Sequence, residues 1–222
     1  MICSNSFYDF CLKALLHIHS RSYNWAGRLA AKLNNNLHPK KQIINYEKWF
    51  CDRLQTDSVV VDIGCSTGEM VRSLAEKVKM VYGLEIEEKR IQQANQSFQQ
   101  DNVKFICADA TSYDYSKLMP IDCITLSNVL EHIEHRVSFL KALQERVHWK
   151  QEEKKRFLIR VPTIEREWIA VYKKERGLEY RLDYSHFIEY TLQEFCEEMK
   201  SAGLTIKDIS TRFGEIYCEA YA

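Results

Sequence analysis

Residues 58–70 read Ser58-Val59-Val60-Val61-Asp62-Ile63-Gly64-Cys65-Ser66-Thr67-Gly68-Glu69-Met70. Three valines run into an acid, an isoleucine and a glycine. Such a run predicts a buried strand over 58–63 that ends in a turn. Gly64 and Gly68 bracket the turn, and Met70, Val71, Leu74 and Val78 then fall at helical spacing. Strand, glycine loop and helix together form the nucleotide-binding corner of a doubly wound α/β sheet.

The glycine spacing separates two ligand classes. A dinucleotide fingerprint, G-x-G-x-x-G, uses its middle glycine to let the backbone approach a pyrophosphate. Here Ser66 holds the middle position, and no glycine follows Gly68 at the expected place. A nucleoside that carries an amino acid and no phosphate does not need that clearance, so the loop favours S-adenosylmethionine over NAD. Val81-Tyr82-Gly83-Leu84-Glu85 predicts a second strand ending in a carboxylate. Glu85 lies close to the ~20-residue spacing from loop to ribose acid. A third strand, 103–107, leads into Ala108-Asp109-Ala110, where Asp109 could accept from an adenine amino group.

Four ordered stretches carry a family resemblance: Val61-Asp-Ile-Gly-Cys-Ser-Thr-Gly68, Gly83-Leu-Glu85, Cys107-Ala-Asp-Ala110 and Leu126-Ser-Asn-Val-Leu-Glu-His-Ile133. They resemble the motifs of class I S-adenosylmethionine-dependent methyltransferases, most of all the branch that includes ubiquinone-biosynthesis O-methyltransferases. The resemblance covers about Tyr46 to the C-terminus. It implies that Asp62, Gly64, Cys65 and Gly68 shape the cofactor loop and that Glu85 and Ile86 flank the ribose. Asp109 and Ala110 would meet the adenine, and Asn128 would lie near the methionine end. The family usually has glycine where this chain has Ser66.

Strand and helix patterns alternate down to residue 161, with a strand at 121–127, a helix from 137 to about 149 and a fifth strand at 156–161. A Thr191-Leu-Gln-Glu194 capping box opens a further helix that Gly203 closes. Strands at 205–211 and 215–221 meet at Phe213-Gly214. The expected architecture is a Rossmann-like, doubly wound, mostly parallel seven-stranded sheet with an antiparallel last strand, plus N-terminal helices. One compact unit is expected, with a helical cap over 1–56 and a methyltransferase domain over 57–222. The cap would hold a helix around Phe7–Ile18, a second around Trp25–Leu33 and a third over 43–54, with Asn34-Asn35-Asn36 and Pro39 as breaks. These helices could cover a cofactor and acceptor, shield a sheet edge or lie against a membrane.

With 222 residues and 31 basic against 31 acidic side chains, the chain is long enough for one such domain and has no overall charge bias. The charge is uneven, however. Residues 1–56 hold eight Lys or Arg against three acids, an excess that suits an anionic partner or a solvated helix face. None of the eight cysteines forms C-x-x-C. Cys107, Cys123 and Cys218 sit in apolar strand patterns and read as small buried hydrophobes, which suits a reducing, cytoplasmic setting. Cys65 reads as a reactive thiol at a helix start or as a plain loop residue. Residues 1–20 lack a clean apolar run, and no stretch is long and apolar enough for a membrane span.

Methyl transfer asks a protein to align the acceptor and, for a hydroxyl, to take its proton. Such groups belong at the C-terminal ends of the middle strands. Asn128, Glu131 and His132 follow the fourth strand at the spacing of one helical face. After Pro162, residues 163–190 form a connection too long for a plain loop. It is expected to be partly helical and to face the acceptor, and it carries His186 among arginines and aromatic residues. His132, His186 and Glu131 are the catalytic candidates.

Asn128-x-x-Glu131-His132, with His186-Phe-Ile-Glu-Tyr-Thr191, is similar to the metal-binding motif of small-RNA 3′-terminal 2′-O-methyltransferases. That resemblance implies Glu131, His132 and His186 as ligands, with Asn128 in place of a glutamate. Loss of a carboxylate weakens a hard divalent site, so no metal is assigned. The reading is O-methylation of a small-molecule or glycan-type acceptor. Its alternatives are metal-dependent RNA 2′-O-methylation and a non-catalytic protein that keeps the cofactor fold.

Overall fold

The computed structural model describes residues 2–35 and 37–222; Met1, Asn36 and the side chains of residues 2–5, Cys3 among them, lie outside the described residues. Seven strands form one sheet: β1 (Val59–Ile63), β2 (Met80–Glu85), β3 (Val103–Cys107), β4 (Cys123–Ser127), β5 (Arg156–Pro162), β6 (Thr205–Arg212) and β7 (Glu215–Tyr221). Their order is β3-β2-β1-β4-β5-β7-β6. Six strands run parallel, and β7 runs antiparallel to both β5 and β6. This is the sheet that the sequence predicts. Every residue of β1 and β2 is buried, as parallel strands covered on both faces require. The reversal of strand order beside β1 opens the crevice where such sheets hold ligands, at β1's carboxyl end.

Eight helices accompany the sheet: α1 (Ile2–Leu33), α2 (Pro39–Ile44), α3 (Tyr46–Cys51), α4 (Glu69–Ala75), α5 (Glu88–Ser97), α6 (Arg136–Arg146), α7 (Trp168–Glu175) and α8 (Leu192–Ser201). The capping box at Thr191 and Glu194 is present, and Gly203, at φ 79°, follows α8. Contacts divide the chain into two units, Met1–Tyr46 and Glu47–Ala222, where the sequence suggested one compact unit with a boundary at 56/57. The difference follows from Trp49, Phe50 and Leu54, which are buried within the larger unit.

Three local expectations are corrected. The two helices expected over 7–33 are one, α1, because Ser20–Asn24 are polar without being helix breakers and Gly27 alone does not stop a helix. The single helix expected over 43–54 is split into α2 and α3 by Asn45, whose φ of 44° is left-handed. Cys107 is exposed, because it ends β3 at the edge of the sheet; Cys123 and Cys218, on interior strands, are buried as expected.

Residues 163–190 contain a 3₁₀ turn, Ile164–Arg166, and α7. Their two ends meet. Thr163 Oγ1 donates to the Tyr190 carbonyl at 2.7 Å, and the Ile164 N–H donates to the same oxygen at 2.9 Å. Thr163 and Tyr190 form an isolated parallel bridge, and both are buried.

Candidate active site at the carboxyl ends of β1, β2 and β4

Asp62, on β1, is 2 % exposed and accepts from Thr125 Oγ1 at 2.6 Å across to β4. Burial pushes its carboxyl up to about 7 against the opposing pull of Thr125 and the Arg160 charge. The chain then turns through Gly64 (φ 72°), Ser66 (φ 50°) and Gly68 (φ 81°). A β-carbon on Gly68 would lie 2.7 Å from the Phe105 ring, so no other residue fits there. Gly83 answers a second close approach, since a β-carbon there would lie 2.9 Å from Cys65 Sγ. Cys65 is buried and its thiol is pushed well up by burial, which makes it a packing residue of the loop.

Ser66 occupies a left-handed position where an L side chain costs roughly 1–2 kcal/mol. Ser66→Gly is therefore expected to raise stability by about 0.5–1 kcal/mol once glycine's own entropy is subtracted. Urea unfolding midpoints of the two proteins measure this directly. An unchanged or lowered midpoint would show that the Arg90-to-Ser66 hydrogen bond, 3.3 Å long, outweighs the backbone term.

Glu85 clasps the loop to the end of β2. One carboxylate oxygen accepts from the Ser66 N–H and the other from the Glu87 N–H, each at 3.0 Å. Each oxygen retains a lone pair for another donor. Beside it Ile86 is 68 % exposed, an apolar surface at a strand end with a carboxylate next to it. Asp109 is exposed beyond β3 and uses Oδ1 to accept from the Thr111 N–H and hydroxyl, at 2.8 and 2.7 Å. Ala110 is half-buried beside it. Gly64–Gly68 carries no charge of its own, and Arg90 reaches it only at Ser66 Oγ, 3.3 Å away. Two carboxylates, an exposed isoleucine and an uncharged loop are a donor and acceptor set that fits an adenosine with an amino-acid tail.

After β4 the helical face expected for Asn128, Glu131 and His132 is absent. Asn128 is exposed and left-handed at φ 56°, and only Leu130–His132 curl into a 3₁₀ turn. The short turn sends neighbouring side chains in different directions. Glu131 is 1 % exposed, while His132 is exposed. Residues 163–190 bring His186 to this turn, where the His132 and His186 rings stand edge to face with centroids 4.7 Å apart. The Phe187 N–H donates to the Glu131 carbonyl at 2.7 Å and ties the two segments together. One donor atom from each of Glu131, His132 and His186 lies within 4.8 Å of the other two.

The hydrogen bonds assign ring protons. Ser185 Oγ donates to Asp183 Oδ1 at 2.8 Å, so towards His132 Nδ1, 3.0 Å away, it can only accept. With the Ser185 hydrogen directed to Asp183, His132 is protonated on Nδ1 and Nε2 is its bare nitrogen. Burial, then the nearby His186, holds the His132 pKa below the ordinary histidine value. His186 is buried, and its Nδ1 lies 3.4 Å from Glu189 Oε1 without a hydrogen-bond partner. Glu131 Oε2 is buried without a hydrogen-bond partner, and burial pushes the carboxyl up to about 7.

Three groups under the site went unassigned in the sequence. Arg160, on β5, is 7 % exposed and its charge favours the ionised forms of Asp62 and Glu131. Glu189 is fully buried and accepts from Arg166 and from the Leu182 N–H. Ser185 orients His132. Only Arg160 left a signal, as a charge inside the apolar run Phe157-Leu-Ile-Arg-Val161. A cavity of about 290 Å³ lies in the connection, walled by Lys174, Leu178, Tyr180, Arg181 and Phe187. Arg181 also donates to the His186 carbonyl at 3.0 Å, which links the cavity wall to the histidine pair.

Residues 60–148 match the family model described as a methyltransferase domain. The match spans β1 to α6, and the strand order is that of a Rossmann-like methyltransferase fold. Among solved structures, a chain of the complex between the Haloferax volcanii Trm112 methyltransferase activator and a methyltransferase is 14 % identical, with 87 % of this chain and 94 % of that one covered at a TM-score of 0.63. Magnesium protoporphyrin IX methyltransferase from Synechocystis PCC 6803, with bound SAH, is 20 % identical over 82 % of each chain at 0.60. A SAM-dependent methyltransferase from Aquifex aeolicus is 16 % identical, covering 86 % and 97 %, at 0.61. At these identities the likeness is one of fold. No curated protein matches in sequence.

Proposed function

We propose that the protein transfers a methyl group to a hydroxyl oxygen of a small-molecule or glycan-type acceptor. The His132–His186 pair at the end of β4, with Ser185 at His132 Nδ1, carries the proposal. S-adenosylmethionine supplies a methyl group on a sulfonium whose departing thioether is neutral. Glu85 holds the ribose hydroxyls with its remaining lone pairs, Ile86 and Ala110 border the base, and Asp109 accepts from the adenine amino group. Asp62, Gly64, Cys65 and Gly68 set the loop, and Asn128 stands near the amino-acid end. His132 Nε2 takes the acceptor's hydroxyl proton as the oxygen gains its methyl group, and Ser185 keeps the ring's tautomer fixed. The cavity volume sits near the low end of small-molecule sites, roughly 300–1,000 Å³, and its aromatic wall suits a ring, while Arg181 in that wall is already paired with Glu179.

Glu85→Ala is expected to weaken cofactor binding by at least about tenfold, the worth of one charge-assisted hydrogen bond plus a loosened loop. Titration calorimetry with S-adenosylmethionine reads the change, and an unaltered affinity would remove Glu85 from the ribose site.

A second reading rests on one observation, the convergence of Glu131, His132 and His186 within 4.8 Å. Two imidazoles held by Ser185 and near Glu189, with one unpartnered carboxylate oxygen, are a donor set that a divalent cation fits. In that reading Glu131, His132 and His186 would hold the cation, which would supply positive charge to a terminal hydroxyl of an RNA acceptor. Labelled methyl transfer into a cell extract, sorted by size and ribonuclease sensitivity with and without Mg²⁺ or Mn²⁺, separates the two. Label in a ribonuclease-resistant fraction without added metal supports the small acceptor. Metal-dependent label that ribonuclease releases overturns it.

A further inference from the structure

Helix α1 is amphipathic in an unusual sense, because its apolar stripe is the exposed one. At about 100° per residue, Phe7, Leu15, Ile18, Trp25, Leu29 and Leu33 fall within one third of the helix circumference, and the exposed Phe10 and Tyr23 flank them on either side. Their exposures run from 53 % to 90 %. Leu16, on the opposite face, is buried at 6 %. Arg21, Arg28 and Lys32 follow one border of the stripe. Over residues 1–46 the formal charges are Lys13, Arg21, Arg28, Lys32, Lys40 and Lys41 against Asp9 alone. A stripe this large is beyond the scattered apolar residues of an ordinary surface.

We propose that α1 lies in the surface of an anionic membrane, with Ile18, Trp25 and Leu29 among the acyl chains and Arg21, Arg28 and Lys32 at the headgroups. Charge complementarity selects this occupant. A second copy would bring two cationic stripes together. An RNA would satisfy the cations but leave the aliphatic stripe in water. Anionic lipid satisfies both, and tryptophan at the boundary is the arrangement interfacial helices use. The helix rests on the surface without crossing it: among the described residues, no helix is long and apolar enough for a span.

Flotation of the full chain with phosphatidylcholine vesicles, with and without phosphatidylglycerol, tests the proposal. Binding is expected only with the anionic lipid. It should fall about fivefold for each of Arg21→Gln and Arg28→Gln, and at least tenfold in Ile18→Glu/Leu29→Glu. Circular dichroism melts confirm that the variants stay folded. As a second readout, Trp25 should emit at shorter wavelength on anionic vesicles, in a signal absent from Trp25→Phe. Binding that these substitutions leave unchanged would overturn the proposal. So would absence of vesicle binding together with a dimer that Ile18→Glu/Leu29→Glu dissolves, or with salt-sensitive binding to a short RNA.

Discussion

His132→Ala is expected to lower kcat by about 10²–10⁴-fold while cofactor affinity stays within about twofold. The range is that of a positioned general base. The residues proposed for the ribose and adenine belong to β2 and the segment after β3, and of the proposed cofactor residues only Asn128 shares the segment after β4 with His132, so binding and proton removal are expected to be separable. A single-turnover assay with labelled cofactor measures the first quantity and calorimetry the second. Loss of affinity alongside rate would make His132 part of the cofactor site. An unchanged rate would transfer the base role to His186 or show that the acceptor needs no base. If the divalent reading holds, the same substitution removes stimulation by Mg²⁺ or Mn²⁺ and leaves the metal-free rate where it was.

Glu189→Ala should cost about 3–5 kcal/mol of stability, the penalty for removing one partner of a buried ion pair. Glu189 is fully buried, and burial alone would raise its carboxyl pKa. The His186 ring, the Leu182 N–H and the Arg166 guanidinium outweigh burial and hold that pKa below the ordinary range. Removing the carboxylate strands Arg166, whose side chain is only 14 % exposed, and frees the Leu182 N–H. His186 loses its neighbour as well. Denaturant unfolding gives the number, and Glu189→Gln, which keeps an acceptor, should cost less. A loss below about 1 kcal/mol in the alanine variant would show that Arg166 finds another partner in the carbonyls of Thr163 and Tyr180, to which it already donates.

The centre of the sheet was legible because β1, β2 and β4 are largely β-branched and apolar runs, and burial on both faces leaves such runs no other place. Gly64 and Gly68 were legible for the same kind of reason, since each marks a backbone angle that side chains resist. Ser66 shows the limit of that logic: it takes a glycine angle without being glycine. Asn45 did likewise and cut a helix that hydrophobic spacing had joined. Around the catalytic candidates, sequence spacing misled in a specific way. Asn128, Glu131 and His132 are placed as a helix would place them, but a three-residue 3₁₀ turn points them apart. Their relation to His186 depends on how a 28-residue connection folds back, which no local pattern encodes. Glu189 was invisible because it looks like any surface acid until Arg166 and Leu182 close around it.

The bridge between Thr163 and Tyr190 turns the intervening residues into a pouch with a drawn neck. Beyond a closed neck the exposed stretches can lengthen cheaply, for doubling the length of a flexible loop costs only about 0.6 kcal/mol. β5 and α8 would keep their register if those stretches were enlarged or exchanged while the Arg166–Glu189 pair and the Phe187–Glu131 hydrogen bond stayed in place. The sheet's crevice at β1 can thus stay constant while the exposed part of the connection varies.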